Sequence, residues 1–257
     1  MGKFRLFIVL LMLLVFFVGL AVYLYPVLYG MYVDHQIQQT AGDFLDRQHT
    51  RPTDPPPSDP TDYTTPEGTE PTPSRSIYPE LWVEMIAYNE EIYRSGQEGL
   101  SCEYSYEKPS FSLTEYGLPD EVFGAIRIPK LSLEMPVYLG ATEKHMAAGA
   151  AHLSQTSLPI GGQNTNTVIA GHRGYSGASY FRYINELEPG DIVEITNIWE
   201  NMVFKVSEIK IIKPNEVEQI HIQEGRELLT LLTCHPYASG GKQRLLVICE
   251  RVYETEK

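Results

Sequence analysis

The chain has 257 residues, with 20 Lys and Arg set against 33 Asp and Glu and a formal net charge of −13. Nucleic-acid binding needs a basic footprint, and an anionic lipid surface repels an acidic body laid flat on it. The charge balance argues against both roles.

Charge is unevenly placed. Lys3 and Arg5 are the only charged residues before Asp34, and Leu6–Val22 is apolar throughout except for Gly19. An uncharged apolar run of about 18 residues or more is long enough to cross a bilayer as a helix, whereas the apolar core of a cleaved signal is about 7–15 residues. The expected element is a transmembrane signal-anchor helix over residues 4–29, in an N-terminal unit 1–33 that begins with a short cytoplasmic tip. Lys3 and Arg5 keep that tip inside, so everything after Asp34 lies outside the cell. Tyr23, Tyr25, Tyr29 and Tyr32 then form an aromatic belt at the outer face.

Residues 34–77 read as an extracellular stalk. The stretch 51–76 holds 8 of the chain's 18 prolines among Thr, Ser, Asp and Glu. Such a segment cannot bury enough apolar surface to offset its ordering entropy, and at about 3.1 Å per residue it spans up to roughly 80 Å. It is expected to be a spacer that lifts the body from the membrane.

The body runs from residue 78 to 257. Leu81, Met85, Ile86, Tyr88 and Ile92 recur near helical spacing, so the periodicity predicts one amphipathic helix over 78–95. From Val122 onward, short β-rich runs bounded by Gly, Pro or Asn take over: Phe123–Ile128, Leu133–Leu139, Thr167–His172, Ile192–Thr196, Val203–Ile212, Leu228–Cys234 and Arg244–Val252. Short helical patches are expected at Thr142–Ala148 and Ala178–Leu187, with a turn at Pro214–Gln219. Strands at this density predict a mainly β barrel or sandwich.

Cys102, Cys234 and Cys249 all follow the anchor, and an odd count leaves at least one thiol unpaired within the chain. If the loop His235–Gln243 closes an antiparallel pair near Ser239, Cys234 faces Arg244 and Cys249 faces Leu229. Five residues of offset is on the order of 17 Å along a strand, beyond disulfide reach. Arg244 beside Cys234 favours a thiolate, so Cys234 has the surroundings of a nucleophile. Cys249, after Leu245–Ile248, reads as a small core hydrophobe, and Cys102 is uninformative.

A thiol nucleophile needs an imidazole partner. His35 and His49 lie near the anchor and stalk, His221 is in a connection, and His145 and His152 read as surface residues around a polar helical patch. His235 follows Cys234 directly, so on a strand it points to the opposite face. His172 closes an apolar strand and is flanked by Gly171 and Gly174, where catalytic side chains tend to sit. No C-x-x-C, H-E-x-x-H or calcium loop is present, so no metal or cofactor is expected.

These residues resemble the sortase family. Thr230-Leu231-Leu232-Thr233-Cys234 matches the family's T-L-x-T-C signature, Arg244 its essential arginine, and Gly171-His172-Arg173-Gly174 its G-H-x-G segment. Ser157–Gly162, Gly124–Pro129 and Gly190-Asp191, in order, are similar to the class C or pilin-type branch, and the likeness covers about residues 80–252. It departs in two places. No Asp-Pro-aromatic lid motif occurs between Trp82 and Val122, so residues 96–118 are a differently built lid or none, and no second apolar run occurs before Lys257.

The resemblance implies a closed eight-stranded sortase-type barrel with a few short helices, acting as a cysteine transpeptidase on LPxTG-like surface proteins. In it Cys234 is the nucleophile, His172 the general acid and base, and Arg244 the peptide and oxyanion ligand, with Thr233 and Thr230 shaping the substrate pocket. A pilin Lys as acceptor implies pilus polymerisation, and a peptidoglycan cross-bridge implies wall anchoring. A stalked scaffold without activity would require Cys234 and Arg244 to be coincidental.

Overall fold

The structure, a computed structural model, describes residues 2–50, 77–101, 107–175 and 177–253. Cys102 and the Pro-rich stretch 51–76 lie outside the described residues. Eight strands close into a barrel: β1 (Val122–Ile128), β2 (Leu133–Leu139), β3 (Ala150–His152), β4 (Thr165–Ala170), β5 (Ile192–Asn197), β6 (Asn201–Ile212), β7 (Glu227–His235) and β8 (Gln243–Arg251). Their order around the wall is β1-β2-β3-β4-β7-β8-β6-β5, with β5 pairing back onto β1. Three helices accompany them: α1 (Gly2–His49), α2 (Pro79–Arg94) and α3 (Glu143–Ala148).

The barrel interior is filled from alternate positions of each strand. Ile126, Ile169, Leu229, Leu231 and Val247 meet Phe181 in one cluster, and Cys249 is buried among them as a free thiol. The opposite faces of β4, β7 and β8 are covered too: Val168, Ala170, Leu228, Leu246 and Ile248 pack under Leu100 and Ile220. Burial on both faces is why β7 shows no strict alternation of apolar and polar residues. One end of the barrel is capped by α2, whose Leu81, Trp82 and Met85 join Phe123 and Trp199, with the two indoles edge to face at 4.9 Å.

Helix α1 contains a stretch apolar and long enough to cross a membrane, and it continues past the expected boundary at Asp34. Residues 34–49 are helical rather than extended, because Ile37, Ala41 and Phe44 recur at helical spacing and bury against the barrel. Phe44 packs with Val122 and Ala125, and Arg47 pairs with Asp120 at 2.9 Å. The Asp34 carboxylate accepts from Ser179 N–H (2.9 Å) and Oγ (3.2 Å). The barrel is therefore docked on the helix itself.

Other expectations are corrected. Strand β4 ends at Ala170, so His172 lies two residues beyond it. Ala178–Leu187 is a series of turns with one short 3-10 segment, Ile184–Glu186. Residues 107–118, where described, pack on α2: Ser110 Oγ donates to Tyr88 Oη at 3.1 Å, and Leu113 is fully buried. Neither His145 nor His152 is on the surface. His145 is buried with Nδ1 2.9 Å from Gly140 O, and His152 lies on the three-residue β3, fully enclosed.

His152 Nε2 faces the carbonyls of Ser157 (3.0 Å) and Thr156 (3.3 Å), so this nitrogen carries the proton and Nδ1 is buried without a partner. Burial holds the imidazole down at about 4. Below its ordinary value the unfolded chain binds a proton that the native state refuses, so stability falls as pH is lowered. Urea melts between pH 6.5 and 4 are expected to lose on the order of 3 kcal/mol more for the wild type than for His152→Gln. Equal slopes would refute this assignment.

Candidate active site

The register of β7 and β8 sets the first pair. Cys234 faces Arg244 and Leu229 faces Cys249, so the two strand cysteines stay apart and both are free. The strands are joined by a turn in which Gly241 has φ +78°, and a Cβ there would lie 3.2 Å from Arg244 Nη1 and 3.5 Å from Cys234 Sγ. The guanidinium and the thiol therefore flank one small space beneath the turn. Arg244 Nη1 donates to the Gly241 (2.6 Å) and Gln243 (3.1 Å) carbonyls, which fixes the side chain over Cys234.

Strand β4 sets the third group. It runs parallel to β7 with Ala170 opposite Leu232. The pairing extends beyond the strand: Gly171 N–H donates to Leu232 O at 3.1 Å, and Thr233 Oγ1 donates to Gly171 O at 2.8 Å. Continuing that register by one residue brings His172 level with Cys234. Side-chain parity agrees, since Val168 and Ala170 of β4, Leu228 and Leu232 of β7, and Leu246 and Ile248 of β8 share one face. Cys234 and Arg244 fall on that face, and the same alternation, continued two residues past Ala170, assigns His172 to it as the candidate third member.

His172 is walled by aromatics. Its ring stacks on Tyr175 with centroids 4.6 Å apart and meets Tyr180 edge-on at 5.8 Å. Tyr180 is fixed in turn by donating to Ala147 O at 2.7 Å, and burial pushes its phenol up to about 12. The imidazole is half-buried, and loss of solvent holds it below the usual histidine value.

The two predicted threonines are spent inside the protein. Thr233 is buried and anchors Gly171, so it acts on the loop that carries His172. Thr230 is fully buried, and its hydroxyl donates to Asn166 Oδ1 at 2.8 Å within the barrel wall. Neither hydroxyl faces the thiol.

Arg173 is a residue that pattern reading missed. Its Nη1 donates to His235 Nδ1 (2.9 Å) and to Cys234 O (3.4 Å), and its Nη2 donates to Asn185 Oδ1 (2.7 Å). It ties the loop after His172 to the backbone of the cysteine strand. Burial and the Arg173 charge both hold His235 below the usual histidine value. The detectable signal was charge: residues 144–185 and 228–249 contain no Asp or Glu, although the protein is strongly acidic. Both loops framing the thiol are thus basic or neutral.

The sortase domain family matches residues 126–252. Sortase D of Bacillus subtilis (strain 168) is 28% identical over 131 residues, which cover 50% of this chain and 63% of that protein. The chain thus spans less than two thirds of that curated relative. Among solved structures, sortase C1 of GBS pilus island 1 is 30% identical with a TM-score of 0.63, covering 71% of this chain and 92% of that one. Sortase C-1 from Streptococcus pneumoniae is 28% identical with a TM-score of 0.62, covering 84% and 100%.

The aromatic wall gives a direct expectation. In the Cys234→Ala protein, imidazole NMR is expected to place the His172 midpoint below 6.5. Tyr175→Ala, which opens one face of the ring to water, is expected to raise it, because solvent favours the imidazolium. A midpoint unmoved by that substitution would show that burial is not the cause.

Proposed function

The chain belongs to the sortase family, and from that premise we propose that it is a membrane-anchored cysteine transpeptidase. It cleaves an LPxTG-like segment of a surface protein between Thr and Gly and passes the acyl group to an amine. The favoured acceptor is a pilin Lys, in keeping with the likeness to sortase C1 of GBS pilus island 1. Residues 1–33 form the anchor with its N-terminal tip inside, and residues 78–257 form the extracellular catalytic unit. The reading is supported above all by the register that pairs Cys234 with Arg244 and by the β4–β7 contact that continues to Gly171, the residue before His172.

In this reading Cys234 Sγ attacks the Thr carbonyl carbon, and the carbonyl oxygen takes up the negative charge. A guanidinium has no lone pair to offer and cannot act as a base, so Arg244 is a hydrogen-bond donor only. Its Nη1 is held by two backbone carbonyls, which leaves its other N–H groups to donate to the oxyanion and the peptide. His172 delivers a proton to the Gly nitrogen as the C–N bond breaks, leaving a thioester on Cys234. The incoming amine attacks that thioester, His172 takes the amine's proton, and the thiolate leaves. Burial depresses the His172 value, so its protonated form is a stronger acid toward the departing amine.

Cys234→Ala is expected to reduce cleavage of a fluorogenic LPxTG peptide by about 10³-fold or more, and Arg244→Lys by about 10²-fold, because an ammonium lacks the planar fork. Turnover by Cys234→Ala equal to wild type would sink the nucleophile assignment. Supplied together with a pilin and a peptidoglycan cross-bridge peptide, the enzyme should yield pilin–pilin product by mass spectrometry. Transfer to the cross-bridge alone would make wall anchoring the function.

A further inference from the structure

Resting on the membrane-anchored reading, we infer that the mouth of the active site is itself a lipid-facing surface. Tyr175 and Tyr237, with Arg182 between the loops, sit in the outer headgroup layer of the membrane that α1 crosses.

A hydrocarbon core of about 30 Å takes about 20 helical residues at about 1.5 Å each. Counted from Arg5, that span ends near Tyr25, and Pro26–Gly30 falls at the outer boundary with Tyr25 and Tyr29 stacked beside it. The loop after His172 touches the helix at this level. A Cβ added at Gly177 would meet the Pro26 carbonyl and lie 3.1 Å from Gly30 Cα. One turn further on, Asp34 binds Ser179 through both carboxylate oxygens. Two successive levels of one rigid helix therefore clamp the loop, and no flexible tether intervenes.

From Gly30 to Arg47, α1 runs about 25 Å along the barrel at about 1.5 Å per residue, reaching Asp120 and Val122 at the far end. The end with Cys234 is thus turned toward the membrane, and the end capped by α2 and Trp199 is turned away from it.

Tyr175 is 46% and Tyr237 50% exposed, although both are large aromatic groups. Arg182 lies over the Tyr237 ring at 4.4 Å. Amphipathic rings with a polar tip collect at membrane interfaces, and guanidinium groups suit phosphate headgroups. The two loop segments 144–185 and 228–249 carry no carboxylate, and the carboxylate that touches them from α1, Asp34, is bound to Ser179 through both oxygens. A peptide segment just outside the bilayer would then reach Cys234 without being lifted from the surface.

The test uses the full-length chain in phosphatidylcholine and phosphatidylglycerol vesicles, with acyl chains brominated either near the carbonyl end or near the middle. Tryptophan is introduced singly by Tyr175→Trp, Tyr237→Trp, Val83→Trp on α2 and Phe16→Trp in the anchor, and wild-type emission is subtracted. Phe16→Trp should be quenched by mid-chain bromine, Tyr175→Trp and Tyr237→Trp about twofold by shallow bromine, and Val83→Trp by neither. Quenching of Phe16→Trp with none at either tyrosine position would overturn the inference while leaving the anchor standing. No quenching of Phe16→Trp would overturn the anchored reading and the inference with it.

Discussion

Everything about the site depends on how far β4 stays paired with β7. Parallel strands cannot be joined by a tight turn, so the two come together only after an intervening crossover of more than fifty residues. Their useful contact is its last part, beyond the regular ladder, where Gly171 N–H reaches Leu232 O and Thr233 Oγ1 reaches Gly171 O. Each of these hydrogen bonds contributes about 1 kcal/mol net, but together they decide which residue stands beside Cys234. Were the chain to peel away at Ala170, the imidazole would no longer be held level with the sulfur.

Arg244 comes to the same place by a different and more local route. A hairpin-like pairing of consecutive strands has its register fixed by the turn, and a slip of one residue would send the guanidinium to the other face. The two carbonyls of Gly241 and Gln243 that hold Arg244 Nη1 belong to that same turn. One element therefore closes the hairpin and orients the cation. This division, one group placed by a long crossover and one by a short turn, explains why the parts are so unequal in sequence separation.

The same division explains what could be read from the chain before its fold was known. Pairing of Cys234 with Arg244 and of Cys249 with Leu229 follows from loop arithmetic alone, as does the lack of a bond between Cys234 and Cys249. Seven of the eight strands carry their own apolar signal; β3 does not, because Ala150-Ala151-His152 is too short and too small to show one. The burial of His152 was hidden for that reason. Ala178–Leu187 looked helical but follows Gly177 and contains Tyr180 at φ 43°, so tertiary packing against His172 overrode propensity. The helix beyond Asp34 did leave a trace in Ile37, Ala41 and Phe44, outweighed by the polar residues between them. Arg173 left only the carboxylate-free composition around it, because the Cys234 carbonyl and the His235 ring nitrogen it binds lie 61 and 62 residues away.

Helix α1 also supports the loop that carries His172. Asp34 fixes Ser179, the next residue is Tyr180, and Tyr180 closes the edge of the His172 ring. The imidazole's solvent exposure, and with it the depression of its proton affinity, is thus set partly by a side chain on the helix that carries the anchor. In the anchored reading the helix does more than hold the enzyme near its substrates. It is one of the walls against which the active-site loop is built, so the height of the site above the membrane and the shape of the site are fixed by the same contacts. A long flexible spacer between membrane and barrel would have freed both. The amphipathic continuation of the helix through Ile37, Ala41 and Phe44 is the feature that prevents it.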